Sequence, residues 1–277
     1  MKNTQYGLGA IRSLFDLRDY RAEPKKGFKY CFADSFNLTM PPVKNQGQVC
    51  SCVAHALATE LEYFDKKETG STHRLSTNYI YGNRRDTSWK QKGMRMRDAI
   101  KAAKKYGDVS NRSFPGNTEV PEVIEEFEQK VPEVFTEGSV NKIGRYFRLY
   151  TADAIKACLV DYGPVVFSVD WNAGYRFEGD KLILPRNTDE QSGSHCMLIY
   201  GWCPDGWLIQ NSWGTGWGSG GRAVLPYDTV LNEAWGIEDA ENTVGDNWLD
   251  ITAPFSSALG KKVAEVINSI LNYVFRK

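Results

Sequence analysis

The stretch Pro41–Phe64, PPVKNQGQVCSCVAHALATELEYF, constrains the fold more than any other part of the chain. Pro41 and Pro42 lock an extended entry and disfavour helix at Met40. Gly47 permits a turn that a residue with a Cβ would resist. From Ser51 onward apolar residues recur at helical spacing, with Ala54, Leu57, Ala58, Leu61 and Phe64 on one face. With Ser51 as the cap, Cys52 falls in the first helical turn. There the unpaired backbone N–H groups and the positive end of the helix dipole favour a thiolate. Cys52 is therefore a candidate nucleophile.

A nucleophilic thiol needs a base, and the chain has three histidines. His55 lies one turn beyond Cys52, and His73 sits in the polar loop GSTHR, where it reads as a solvated side chain. His195 stands in GSHCMLIYGW, a Gly-Ser turn running into an apolar strand. A second apolar strand ends at Asn211, just before a Trp- and Gly-rich turn, NSWGTGWGSGG. This order predicts that Asn211 accepts the Nδ1–H of His195 and turns Nε2 toward the sulfur, with Trp213 keeping water off that bond.

QGQVCSC, then GSH, then NSWGTGWG resembles the papain family of cysteine proteases, over about residues 40 to 230. The separation of about 140 residues between Cys52 and His195 suits that family. The pattern is nearest to bacterial-type members with a short N-terminal segment; Asp16–Tyr20, DLRDY, is similar to a stretch that precedes their catalytic domain. The resemblance implies Cys52 as nucleophile, His195 as general base and acid, Asn211 as its orienting residue and Gln46 as an oxyanion donor beside the Cys52 N–H. It implies Trp213 and Trp217 as the shielding tryptophans. Gly93 is similar to the glycine whose backbone pairs with substrate. Three positions depart from the pattern: Cys50 replaces a glycine, Val53 an aromatic, and His55 a small or apolar residue. Val49 stands where secreted members carry half of a disulfide.

The implied activity is a cysteine-type endopeptidase acting through an acyl-thioester, on peptide or protein substrates, with no cofactor and no metal. The alternatives are a non-catalytic scaffold that keeps the fold, and a relative that transfers the acyl group to an amine. Lys+Arg and Asp+Glu both number 34, so the zero net charge argues against a phosphate-neutralising nucleic-acid surface. The first twenty residues carry no apolar leader, and with Val49 this places the expected protein in the cytoplasm with reduced cysteines.

The implied fold class is α+β: a helical lobe over about 41–140 and an antiparallel sheet lobe over about 141–250, with the cleft between them. Helices are expected from Ser51, from Ser76 and over GMRMRDAIKAAKKYG. The last of these turns Met96, Ala99, Ile100 and Ala103 inward and Arg95, Arg97, Lys101, Lys104 and Lys105 to solvent. VPEVIEEFEQKVPEVF reads as a further helix that closes the lobe. In the second half, GRYFRLY, PVVFSVD, DKLILP, a hairpin across Pro204-Asp205-Gly206 and GRAVLPY read as strands, and TADAIKACLVDYG as a helix. Residues 1–40 form a charged segment that either covers the cleft or straps the lobes. Residues 251–277 read as a linker and an amphipathic helix, 261–277, offering a face to the body, to a partner protein or to a membrane surface.

Overall fold

The computed structural model describes residues 6–14, 16, 19, 22–24, 30–84, 92–119, 137, 141–184, 191–239 and 248–250. The helical lobe is built on α1 (Cys52–Thr69), which ends where Gly70 takes the left-handed conformation and its N–H closes on the Lys66 carbonyl. The apolar face read from the sequence is buried, but so are the polar Thr59, Glu60 and Glu62. α1 is thus a core helix enclosed on every side through its first three turns. Glu62 Oε1 accepts there from Lys44 and from the Leu75 N–H at 2.8 Å.

α2 (Thr77–Gly82) starts where expected, with the Ser76 hydroxyl accepting the Tyr79 N–H at 2.9 Å. α3 (Met96–Tyr106) buries Met96, Ala99, Ile100 and Ala103 and stops at Gly107. One member of its expected solvated face is instead buried. Arg97 pairs with Asp19 of the N-terminal segment, and Arg148 approaches the same carboxylate at 3.7 Å. The basic periodicity of α3 could not reveal a carboxylate supplied by residues almost eighty positions earlier. The expected helix over VPEVIEEFEQKVPEVF and the C-terminal helix 261–277 lie outside the described residues.

The second lobe is a nine-stranded sheet. We number the strands in chain order: β1 (Ala10–Ile11), β2 (Ala22–Pro24), β3 (Phe36–Asn37), β4 (Met94–Arg95), β5 (Ile143–Leu149), β6 (Val165–Asn172), β7 (Arg176–Glu178), β8 (Lys181–Ile183), β9 (Gln191–Cys203), β10 (Gly206–Gln210), β11 (Arg222–Leu225), β12 (Leu231–Asp239) and β13 (Trp248–Asp250). The order is β5-β12-β6-β9-β10-β11-β8-β7, with β3 also on β9; β11–β8 is parallel and the other pairings are antiparallel. β1 pairs with β4, and β2 with β13, outside this sheet. The expected hairpin is β9–β10, with Cys203 opposite Gly206. β12 was not legible, because its two glutamates and central glycine mask the strand pattern. In place, Gly236 lets α4 (Ala152–Asp161) approach: a Cβ there would lie 2.6 Å from Cys158 Sγ and 2.4 Å from the Phe147 ring.

β9 joins the two cores. Successive side chains of a strand point to opposite faces, so Met197 and Ile199 enter the sheet-lobe core while Cys196 and Leu198 pack with α1 and α3. This alternation sets His195 beside the first wall and turns Cys196 toward the second.

Candidate active site

Cys52 is the first residue of α1, as the sequence predicts, but Ser51 does not cap it with its side chain. The Ser51 hydroxyl donates instead to Asn117 Oδ1 at 3.0 Å and meets His55 Nδ1 at 3.2 Å. His55 is held by its own helix, with Nδ1 3.0 Å from the Ser51 carbonyl. Burial lowers its pKa to about 3, so it packs as a neutral ring.

His195 Nε2 lies 2.7 Å from Asn211 Oδ1, while Nδ1 makes no hydrogen bond among the described residues. The nitrogens are therefore exchanged relative to the sequence reading. The physical reason is proximity. The Cys196 N–H points at the Cys52 sulfur, so the thiol lies against the β9 backbone, and Nδ1 is the ring nitrogen nearer that backbone. The distal Nε2 then reaches across to Asn211 at the end of β10. Asn211 Oδ1 also accepts the Ser212 N–H at 2.7 Å, which fixes the amide. Trp213 stacks on the His195 ring at a 4.4 Å centroid distance and Trp171 meets its edge at 5.2 Å. Trp217 packs behind Trp213 and Trp171.

Gln46 is fully buried. Its Oε1 accepts the Ser212 hydroxyl at 2.6 Å, and its Nε2 donates to the Val49 carbonyl at 2.8 Å and to the Gly7 carbonyl at 2.9 Å. That last partner belongs to the N-terminal segment. Gly7 N–H donates to the Gly47 carbonyl at 3.0 Å, and Tyr6 stacks on Trp213 at 4.4 Å. The Gly9 N–H lies close enough to the Cys52 sulfur to lower its pKa, and the Gly9 carbonyl accepts the Met94 N–H at 2.9 Å. Gly93, at φ +83°, lies against Gly9, where a Cβ would be 2.5 Å from the Gly9 oxygen. Tyr81 holds Gly93 in place: its hydroxyl accepts the Gly93 N–H and donates to Glu119, each at 2.9 Å.

Beneath this segment Cys52 and His195 are completely inaccessible to solvent. Burial pushes the Cys52 thiol up to about 11, against backbone N–H groups of Cys196, Gly9 and Val53 that pull it down. Burial likewise lowers His195 to about 4 despite the Asn211 bond. The thiolate expected at the helix N-terminus is thus not the form favoured here, because desolvation outweighs the helix end. Cys50 is half-buried; burial and the Glu119 carboxylate raise its thiol.

Sequence reasoning missed Tyr6, Gly7, Gly9, Tyr81, Asn117, Glu119 and Ser212. For the segment itself a signal existed: Gly7-Leu8-Gly9 offers two side-chain-free positions with one residue between. Among the described residues no cluster of His, Cys, Asp and Glu could hold a metal, and no helix is long and apolar enough to cross a membrane. All six cysteines are free.

A helical lobe and a sheet lobe, with a cysteine on one wall and a His–Asn pair on the other, define the class of two-lobe α+β thiol enzymes. Residues 33–241 match the papain family cysteine protease pattern, and the chain belongs to that family. It is 27% identical to mouse cathepsin K over 228 residues, spanning 80% of this chain and 62% of that protein. It is 26% identical to a peptidase C1-like protein of Acanthamoeba polyphaga mimivirus, over 76% of this chain and 70% of that one. Among solved structures, xylellain, a cysteine protease from Xylella fastidiosa, superposes with a TM-score of 0.71 at 25% identity, covering 86% of this chain and 98% of that one. The Carica candamarcensis protease CMS1MS2 shares the fold, with a TM-score of 0.60 at 22% identity over 75% of this chain and 99% of that one.

Proposed function

We propose that the chain hydrolyses peptide bonds through Cys52, His195, Asn211 and Gln46, and that residues 6–14, with Asp19, hold this site closed until they are displaced. One observation carries the reading: the Gly7 carbonyl accepts the Gln46 amide at 2.9 Å, and the Gly9 N–H comes near enough to the Cys52 sulfur to lower its pKa. Main chain thus lies where a peptide substrate would lie.

Once the segment leaves, water returns to the cleft and the burial penalty on both charged forms falls. The Cys52 proton passes to His195 Nδ1, with Nε2–H retained on Asn211. The thiolate adds to the substrate carbonyl carbon, and the resulting oxyanion accepts hydrogen bonds from Gln46 Nε2 and the Cys52 N–H. His195 returns its proton to the amine as the C–N bond breaks, leaving a thioester. It then takes a proton from water, whose oxygen attacks the thioester carbon; the acid leaves and the thiol is restored. The six free cysteines support action in a reducing compartment, the cytoplasm being the simplest.

Intact mass of the reduced chain treated with an epoxysuccinyl thiol-protease inhibitor tests this reading. The expected result is one adduct on the wild type, formed slowly, and none on Cys52→Ala. Absence of any adduct, even with the segment loosened by Gly9→Val, would leave a binding protein rather than a hydrolase.

A further inference from the structure

After Gly9 the segment runs along β4, with Ala10 opposite Met94 and Ile11 opposite Arg95 in parallel. Arg12 then crosses to the sheet wall. Its Nη2 donates to Asp170 Oδ2 at 2.7 Å and to Asn232 Oδ1 at 2.5 Å, and the Ser13 N–H donates to Glu233 Oε1 at 3.1 Å. These acceptors are held by bonds of their own. Asn232 Nδ2 donates to Asp170 Oδ1 at 2.8 Å and to Ser194 Oγ at 3.1 Å, and Ser194 Oγ donates to the Val169 carbonyl at 3.0 Å. Glu233, itself buried, accepts the Trp235 indole N–H at 3.0 Å.

The cluster lies at the reacting centre. Asp170 is opposite Ser194 in the β6–β9 ladder, and Ser194 precedes His195. Residues opposite one another, and residues two apart on one strand, share a face of the sheet. Asp170 and Ser194 therefore share the face of Cys196, whose N–H meets the Cys52 sulfur. When the segment leaves, a carboxylate and an amide oxygen, both acceptors and both oriented, are left facing the cleft beside Ser194. Their chemical complement is a cationic side chain whose nitrogen carries more than one donor, as Arg12 Nη2 does.

We infer that Asp170 and Asn232 form a subsite for a basic side chain of the substrate, and that Arg12 is its occupant in the closed chain. The inference rests on the peptidase reading. An ordinary surface ion pair would contribute little at this exposure, with Arg12 63% and Asp170 42% accessible. What separates this pair from one is the Asn232 amide, which orients the carboxylate and contributes a second acceptor to the same nitrogen.

Two measurements on the full-length chain carrying Gly9→Val test it. In the first, Arg is moved through the four positions before the cleaved bond of a fluorogenic peptide and compared with its neutral isostere citrulline. The expected result is a kcat/KM about tenfold higher for Arg at one position, expressed in KM, the size of one charge-assisted contact. Asp170→Asn erases this ratio, and Asp170→Lys inverts it in favour of Glu. In the second, with Cys52→Ala added, a synthetic peptide of residues 6–16 binds about tenfold more weakly when Arg12 is citrulline. Hydrolysis with no Arg preference overturns the subsite and leaves the peptidase standing. Arg-dependent binding without hydrolysis by the Cys52-containing chain keeps the subsite and overturns the peptidase. Equal binding of the two peptides overturns the subsite outright.

Discussion

Gly9→Val in the full-length chain separates a closed enzyme from one that merely carries an extended N-terminus. A Cβ built on Gly9 would lie 1.8 Å from the Cys50 carbonyl oxygen, 2.4 Å from its carbon and 2.9 Å from its Cα. These are main-chain atoms at the entrance to α1, and they cannot yield without moving Cys52. The segment must therefore lift. Lifting removes the Gly7 N–H to Gly47, Gln46 to Gly7 and Met94 N–H to Gly9 hydrogen bonds and the Tyr6–Trp213 stack. At about 0.5–1.5 kcal/mol for each hydrogen bond and a similar amount for the stack, the loss is about 2–6 kcal/mol. Since about 1.4 kcal/mol is a factor of ten, the open fraction rises at least about thirtyfold until the site is fully open. The second-order rate of Cys52 alkylation by an epoxysuccinyl inhibitor, read by intact mass, should rise by the same factor. Cys52→Ala in the same background supplies the zero. A Gly9→Val chain that melts as a single folded species yet reacts no faster than wild type would refute the cover, and the strap reading would stand.

Closure should also depend on pH. Burial lowers His195 to about 4 from an ordinary 6.5, so its contribution to closure is complete above pH 6.5 and is lost as pH falls toward 4. At pH 5 the loss reaches about 2 kcal/mol if the segment accounts for all of that burial; Trp213 fluorescence, altered as Tyr6 unstacks, should change between pH 6.5 and 5. Asp19, whose carboxyl burial raises against the pull of Arg97, acts in the opposite sense as it takes up its proton. An unchanged signal across that window would detach His195 from the closure. Gln46→Ala should separate two functions of one amide. It removes a hydrogen bond to Gly7, so alkylation of Cys52 quickens, while kcat on a peptide falls about a hundredfold through loss of an oxyanion donor; a fall in both rates would contradict the shared role.

How much was legible follows from how local each signal is. α1, the Ser76 cap of α2 and the β9–β10 hairpin follow from periodicity and turn chemistry within about twenty residues. His195 and Asn211 were placed beside each other by the two strands that carry them, and the structure joins them at 2.7 Å. Which ring nitrogen meets Asn211 was not legible, because it depends on where the thiol lies relative to the β9 backbone. The burial of Arg97 depends on Asp19, and that of Cys52 on Gly9; neither partner is near in sequence. β12 shows the same limit: Glu233 and Glu238 sit buried in a strand because Trp235 and Arg145 supply their partners.

The fit of the N-terminal segment rests on what it lacks. At Gly7 a Cβ would stand 2.2 Å from the Val49 carbonyl oxygen, at Gly9 1.8 Å from that of Cys50, and at Gly93 2.5 Å from that of Gly9. Three glycines thus let two backbones meet across the cleft at hydrogen-bond distance, where any other residue would hold them apart. A cover anchored by side chains would need pockets, and the open enzyme would carry those pockets into its choice of substrate. A cover anchored by main chain competes for the same donors and acceptors as any peptide does. Side chains add to this at Tyr6 on Trp213, at Arg12 on Asp170 and at Asp19 between Arg97 and Arg148. Closure and substrate binding should therefore diverge most at Asp19. Its contacts with Arg97 and Arg148 hold the segment without occupying the cleft floor, so loosening them would free the site while leaving its chemistry intact.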